Sequence, residues 1–597
     1  MRTCPDPHSG TFIRGRARPL SIALAFAIAL IVLGQGITAP FEKDAEPQSA
    51  QWIAGIVQGG NWLLPHDYYG FVNRKPPLFY WLSAVVADAT GGKLDEVRAR
   101  VVSLVAGAAL AAFVMGWGAA QIGVAQGWLA FFFLIGTYGF ASRATVALTD
   151  MLMSLILLAL YCVVWPALDG APSWRRSLSA GVMLGLAILT KGPVTLVLVA
   201  LAAIIYLLLS RRNPLAIAAR GWPWIILALA TVIAAAWYVP AFLAGRASGV
   251  GGVFVDENFG HFMPASMGGT GEAARPVYYI LLRLLGGVLP LSFLVPALVM
   301  AFVSAAFPPD ARKPLEFQLA MVLAVILLFS AASAKRDDYI LPALPPLAIL
   351  FAALFTDAPN AGLANGSDLG RYAGRIRDAT VALIAAVMLT GTVAALLFFR
   401  TGAVVGCFGL HPNSADASYA AIFANGFAHL TPPFAAFAVA VMAGSLTVFA
   451  GLWRRRTVIT GAGLALLCLA GSVLWTGTLR PAEARTRSLA AFAVAVRNRV
   501  AGPLYVAWDD PEFAWYYGRG VPALPRAIAD SGPPPATTVY LVARPQELIR
   551  LAPSVRANLK TVFQSRLLGG GGPPALYLIQ PPNPAHPGLN HASGSIK

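Results

Sequence analysis

Long apolar runs, each near the roughly 20 residues needed to cross a bilayer, recur about thirteen times along this chain and leave few folds open to it. They lie near 19–38, 98–120, 124–141, 146–166, 177–191, 194–210, 222–245, 277–304, 316–333, 339–356, 379–399, 432–452 and 456–477. In hydrocarbon every backbone N–H and C=O must be satisfied within its own segment, so such runs are helices. Only 12% of residues are charged, and the mean hydropathy is +0.66. The fold expected is therefore a polytopic α-helical membrane protein. The net charge of +17 does not point to nucleic acid, because its basic residues form short clusters between apolar runs. The four cysteines are scattered and form neither a disulfide framework nor a thiolate metal site.

The first run follows a basic leader without a small-residue cleavage site and reads as a retained anchor whose N-terminus is cytoplasmic. Alternate connections then carry Arg175-Arg176, Arg211-Arg212 with Arg220, Arg312-Lys313, Arg371/Arg375/Arg377 and Arg454-Arg455-Arg456, as the positive-inside trend requires. The loops 39–97 and 246–276, the Lys335-Arg336-Asp337-Asp338 turn and the C-terminus fall on the opposite side. Residues 1–479 form the membrane domain. Beyond them, strand-like runs at 504–508, 539–543 and 575–579 predict a small extracytoplasmic α/β domain over 480–580, and the Pro/Asn/Gly/Ser tail 581–597 reads as disordered.

Several charges interrupt this pattern. Asp44 and Glu46 precede Pro47 at the start of an amphipathic segment. Either they cap that helix, contributing about 0.5–2 kcal/mol, or one is a general base or cation ligand at a cavity mouth. Asp150 is the one acid among some twenty apolar positions, and it either pairs with Arg143 or faces a polar cavity. Arg74-Lys75, Lys191 and Lys335-Arg336 are cations on the outer side. Each alone is consistent with snorkelling; together they suit an anionic ligand such as a lipid-linked phosphate. In the 246–276 loop, Asp256, Glu257 and His261 are candidate ligands for a divalent cation, although their spacing matches no specific template.

In order and spacing, DAEPQSAQWIAGIVQGGNWLLPH, NRKPPLFYWL, TDMLMSL, LTKGPVTLVL, ENFGHF, RPVYYILLRLLGGVLP and AKRDDYILPALPPLAIL resemble the bacterial aminoarabinose transferases and their protein O-mannosyltransferase relatives. These are integral-membrane glycosyltransferases of the GT-C superfamily. The resemblance implies a polyprenyl-phosphate-linked sugar donor and a lipid or glycan acceptor, less readily a protein, at the periplasmic face of the inner membrane. It implies catalytic roles for Glu46 or Asp44 and for Asp150. Lys75 and Lys191, with Arg74 and Lys335, would bind the phosphate, and Tyr339 would line the cavity. The family's Asp-Glu pair aligns here with Ala45-Glu46, and its glutamate before the lysine of the KP motif aligns with Arg74. The rival class is a transporter or flippase for lipid-linked sugars, which predicts repeat symmetry that the sequence does not display.

Overall fold

The computed structural model of the protein describes residues 19–41, 45–73, 75–170, 173–247, 275–304, 306–307, 309–356, 368–400, 415–534, 537–565 and 573–581. Asp44, Arg74, Asp256, Glu257, His261 and nearly all of the tail lie outside them. The first half is a succession of helices: α1 (Pro19–Leu33), α2 (Ala45–Gly59), α3 (Leu78–Ala89), α4 (Glu96–Ile122), α5 (Val124–Gly136), α6 (Tyr138–Ala144), α7 (Asp150–Asp169), α8 (Trp174–Lys191), α9 (Val194–Leu209), α10 (Pro214–Ala218) and α11 (Trp222–Ala247). Longer helices of the second half include Pro309–Ala331, Pro432–Trp453 and Thr457–Leu474.

Every predicted apolar run contains helix, which establishes the polytopic helical class. By length and composition alone, among the described residues seven helices suffice to cross a membrane, or nine if each of two bent pairs is one span, and the shorter apolar helices account for the difference from about thirteen runs. One pair, Tyr279–Gly287 with Leu291–Val303, bends by 107°. The difference has a local cause. Runs such as those at α1 and α9 give helices of 15 and 16 residues, short of a bilayer's thickness unless their flanks help to cross it.

Small residues let these helices approach closely. A Cβ on Gly127 of α5 would come within 2.5 Å of the Met115 carbonyl of α4, so a larger side chain there would force the pair apart. A buried amide pair, Gln318 Nε2 donating to Gln121 Oε1 at 2.9 Å, ties the helix Pro309–Ala331 to α4. The ends are set by local chemistry. Asp95 caps α4 by accepting from the Arg98 N–H at 2.8 Å, and α8 stops at Gly192, whose φ of +86° suits glycine.

Residues 504–579 contain a four-stranded sheet of order β1-β2-β4-β3, with β1 (Leu504–Val506) parallel to β2 (Val539–Ala543) and β4 (Ala575–Ile579) antiparallel to both β2 and β3 (Leu559–Gln564). The strand β3 had no sequence-level counterpart; its alternation is weak because most of it is exposed. A short helix of this region, Pro511–Tyr517, packs on α2 and the start of α4. Gln51 Nε2 donates to the Pro511 carbonyl at 2.7 Å, and the Tyr516 hydroxyl donates to Glu96 at 2.8 Å while accepting the Phe41 N–H at 2.8 Å. Burial, and then the Glu96 carboxylate, push the Tyr516 phenol well above its ordinary pKa, so it remains a donor. Replacing Tyr516 with Phe strands the Phe41 N–H and is expected to cost about 1–3 kcal/mol, read as a lower unfolding temperature in detergent.

Candidate active site

Helices α7, α8 and α9 run alternately up and down, so the first residue of α7, the last of α8 and the first of α9 meet at one end of the bundle. There a cavity enclosing about 910 Å³, its open mouth included, is lined by Lys75, Tyr80, Asp150, Lys191, Arg336, Asp338 and Tyr339, with Leu148, Thr149, Val194 and Phe329 among the remaining wall. Segments far apart in sequence therefore converge on one space: Lys75 and Pro76 with Tyr80 of α3, the start of α7, the junction of α8 and α9, and the turn after the helix Pro309–Ala331.

The charges arrive in pairs. Lys191 Nζ bonds Asp150 Oδ1, and the same ammonium lies 5.5 Å from the Tyr339 ring centroid. Tyr339 is stacked on Phe329 at 4.4 Å. Arg143 pairs with Asp338 at 2.5 Å rather than with Asp150, so the alternative pairing considered for Asp150 does not form. Lys75 Nζ sits 5.9 Å over the Trp52 ring of α2, and the Lys75 amide donates to Asn73 Oδ1 at 2.9 Å, fixing the turn before Pro76.

Two predicted site residues lie elsewhere. Glu46, in the first turn of α2, does not line this cavity. It is 1% exposed and receives Arg100 Nε at 2.6 Å and Nη2 at 2.9 Å. Its Oε1 also accepts the Ala147 N–H at 2.9 Å, and Arg480 Nη1 donates to Thr145 Oγ1 at 2.6 Å. Burial by itself would raise the Glu46 carboxyl's pKa. The Arg100 charge and hydrogen bond, then Arg480 and the Ala147 amide, outweigh burial and hold it below the ordinary carboxylate range. Glu46 thus braces the turn 145–149 that delivers Leu148, Thr149 and Asp150 to the cavity. Lys335 is likewise turned away: it is 4% exposed and donates to the carbonyls of Arg275, at 2.9 Å, and Ala332. Its neighbour Arg336 occupies the wall instead.

Sequence reasoning named the Lys335-Arg336 pair as cations for an anionic ligand but missed Asp338 and Tyr80 as lining residues. The KRDDY cluster was visible as a charge anomaly; which of its members faced inward was not. Among the described residues no three His, Cys, Asp or Glu side chains are grouped to hold a metal ion. What the cavity does present is cations for an anionic group, carboxylates for hydroxyls or a proton, and aromatic faces suited to a sugar ring.

The fold and this cavity define a helical membrane protein in which several cations meet buried carboxylates at one end of the bundle. Residues 74–239 match the family described as dolichyl-phosphate-mannose-protein mannosyltransferase. The undecaprenyl phosphate-alpha-4-amino-4-deoxy-L-arabinose arabinosyl transferase of Shewanella sediminis is 26% identical over 332 residues, covering 55% of this chain and 58% of that one. The enzyme of the same name from Yersinia pestis is 27% identical over 335 residues, covering 53% and 55%. The chain thus matches somewhat over half the length of these curated relatives. The crystal structure of ArnT from Cupriavidus metallidurans bound to undecaprenyl phosphate superposes with a TM-score of 0.66 at 18% identity, over 94% of this chain and 98% of that one. Its apo form gives 0.65 at 19%. The chain therefore shares the fold of the Cupriavidus metallidurans ArnT structures over nearly its whole length.

Proposed function

We propose that this protein is a glycosyltransferase that moves a sugar from an undecaprenyl-phosphate-like donor to lipid A or another envelope acceptor at the periplasmic face of the inner membrane. The observation that carries this reading is the meeting of Lys75, Lys191 and Arg336 with Asp150 and two tyrosines in one cavity. The names of the sequence relatives, and the undecaprenyl phosphate in the ArnT crystal structure, support that donor class. The topology that accompanies it has about thirteen crossings, the shorter helices included, with a cytoplasmic N-terminus and residues 480–580 as a periplasmic domain. Alternate helix connections carrying the arginine clusters support that sidedness.

In this mechanism Lys75, Lys191 and Arg336 hold the donor phosphate, with Arg74 beside Lys75 as a further contributor. An acceptor oxygen attacks the anomeric carbon from the face opposite the phosphate. The bond from that carbon to the phosphate oxygen breaks with its electron pair left on the phosphate, and the centre inverts. Where the acceptor is a hydroxyl, Asp150 takes its proton; where it is a phosphate, the nucleophile is already anionic and Asp150 orients it. Asp44, one residue before α2, is a second candidate carboxylate. The polyprenyl chain has an apolar path: a groove of about 960 Å³ is lined by Leu160, Val164, Leu196, Val199, Leu207 and Trp222 among others. It follows α9, whose first residue, Val194, belongs to the cavity wall.

The direct test is reconstitution in liposomes with labelled undecaprenyl-phosphate aminoarabinose and lipid A. Label is expected on lipid A; donor that binds but is never consumed, with lipid A or other envelope glycans present, would overturn the assignment. Separately, Lys75→Met is expected to weaken binding of undecaprenyl phosphate about 10–100-fold, the scale of one charge-assisted hydrogen bond, measured on the purified protein without acceptor.

A further inference from the structure

The two carboxylates of the cavity are both neutralised, but not in the same way. Asp338 is paired with Arg143, which stands behind the wall, whereas Asp150 is paired with Lys191, which is itself part of the lining. A ligand entering the cavity can compete for Lys191. It meets Asp338 with its partner out of reach. Lys191 is also built for exchange: it is the last residue of α8, and its ammonium is a compact charge on a flexible stem that already leans toward Tyr339 across the cavity.

Resting on the donor assigned above, we propose that Lys191 is a switch between two anions, held by Asp150 in the empty site and taken by the donor phosphate on binding. The Asp150 carboxylate is then released to the acceptor only after the donor has arrived, which imposes a donor-first order. A carboxylate about nine-tenths buried does not stay without a partner at low cost. Once Lys191 has left, Asp150 demands a new hydrogen-bond donor, and a hydroxyl of the sugar or of the acceptor supplies it. The same exchange strengthens as the reaction proceeds. The donor is a phosphodiester with one negative charge, while the departing polyprenyl phosphate is a monoester whose charge approaches −2, so Lys191 is drawn further from Asp150 as the bond breaks.

This has a consequence opposite to that of a carboxylate that simply binds the donor. Undecaprenyl phosphate without acceptor, titrated into purified protein, is expected to bind Asp150→Asn about tenfold more tightly than wild type, because the phosphate no longer has to displace a carboxylate. Lys191→Met is expected to bind it about tenfold more weakly, and Asp150→Asn adds nothing in the Lys191→Met background. Asp150→Ser serves as a second variant against a folding defect in the first. Equal or weaker binding by both Asp150 variants overturns the exchange while leaving the donor assignment standing. Tightening that persists without Lys191 also overturns it, since the effect would then be general electrostatics. No binding of undecaprenyl phosphate to wild type overturns the donor assignment, and the exchange with it.

Discussion

Lys191→Met is expected to slow sugar transfer by about 10²–10³-fold at saturating donor, the scale seen when one group facing a developing charge is removed. Methionine keeps an unbranched apolar stem of similar length while removing the ammonium that faces the Tyr339 ring, so the change isolates the charge. In the proposed reaction negative charge grows on the leaving phosphate as the bond to the anomeric carbon breaks. An ammonium aimed at that oxygen lowers the barrier more than it lowers the energy of the bound donor, and its loss must therefore appear in kcat as well as in affinity. Lys191→Arg restores charge but not shape, and an intermediate rate is expected because a guanidinium is larger and fixed in a plane. The measurement is initial transfer to lipid A in proteoliposomes across a range of donor concentrations. A kcat within threefold of wild type would remove Lys191 from the chemical step and leave it a binding role alone.

The parts of this site that were legible in the sequence are those marked by their isolation. Asp150 and Lys191 are each set off from other charges by long apolar stretches of their helices, and burying an isolated charge in hydrocarbon is costly enough that each announces a polar cavity. The helices were legible for the same reason, since runs of about 20 apolar residues have few alternatives. Pairing was not. Asp150 meets Lys191 across 41 positions and Glu46 meets Arg100 across 54, separations on which helical periodicity is silent. The local candidate, Arg143, was closer in sequence to Asp150 but faces Asp338 instead. Nor does adjacency tell direction in a turn: Lys335 and Arg336 are neighbours, yet one is tied to carbonyls beneath the surface and the other faces the cavity. Glu46 is a case where motif and packing point differently: its place in the motif suggests chemistry, while its burial against Arg100 and its bond to Ala147 place it under the turn that presents Asp150.

That support role predicts the second large effect. Arg100→Met is expected to destabilise the protein by about 3–5 kcal/mol, because it leaves a carboxylate that is 1% exposed without its counter-charge. Arg100 also donates to the carbonyls of Ile37, at 2.9 Å, and Ala39, so the connection between α1 and α2 loses an anchor in the same change. The loss has a pH signature. In wild type the Glu46 carboxyl lies below its ordinary range, so its contribution to stability is complete above the unfolded-state pKa and disappears as pH falls through the lower folded-state value. Remove Arg100, and burial pushes the same carboxyl upward instead. The variant should then regain stability as pH falls from neutral to about 5 and the carboxyl takes up a proton, over a range where wild type changes little. Adding Glu46→Gln to Arg100→Met should recover part of the loss at neutral pH, since a neutral amide is far less costly to bury than an unpaired carboxylate. Unfolding temperatures in detergent across that pH range test all three expectations. A pH-independent deficit in Arg100→Met, unrelieved by Glu46→Gln, would mean that the carbonyl anchors and not the ion pair carry the stability. Transfer activity separates the brace from the chemistry: a brace that sets the turn 145–149 should be recovered with stability in the double variant, which still lacks the Glu46 carboxylate, whereas a catalytic Glu46 should not.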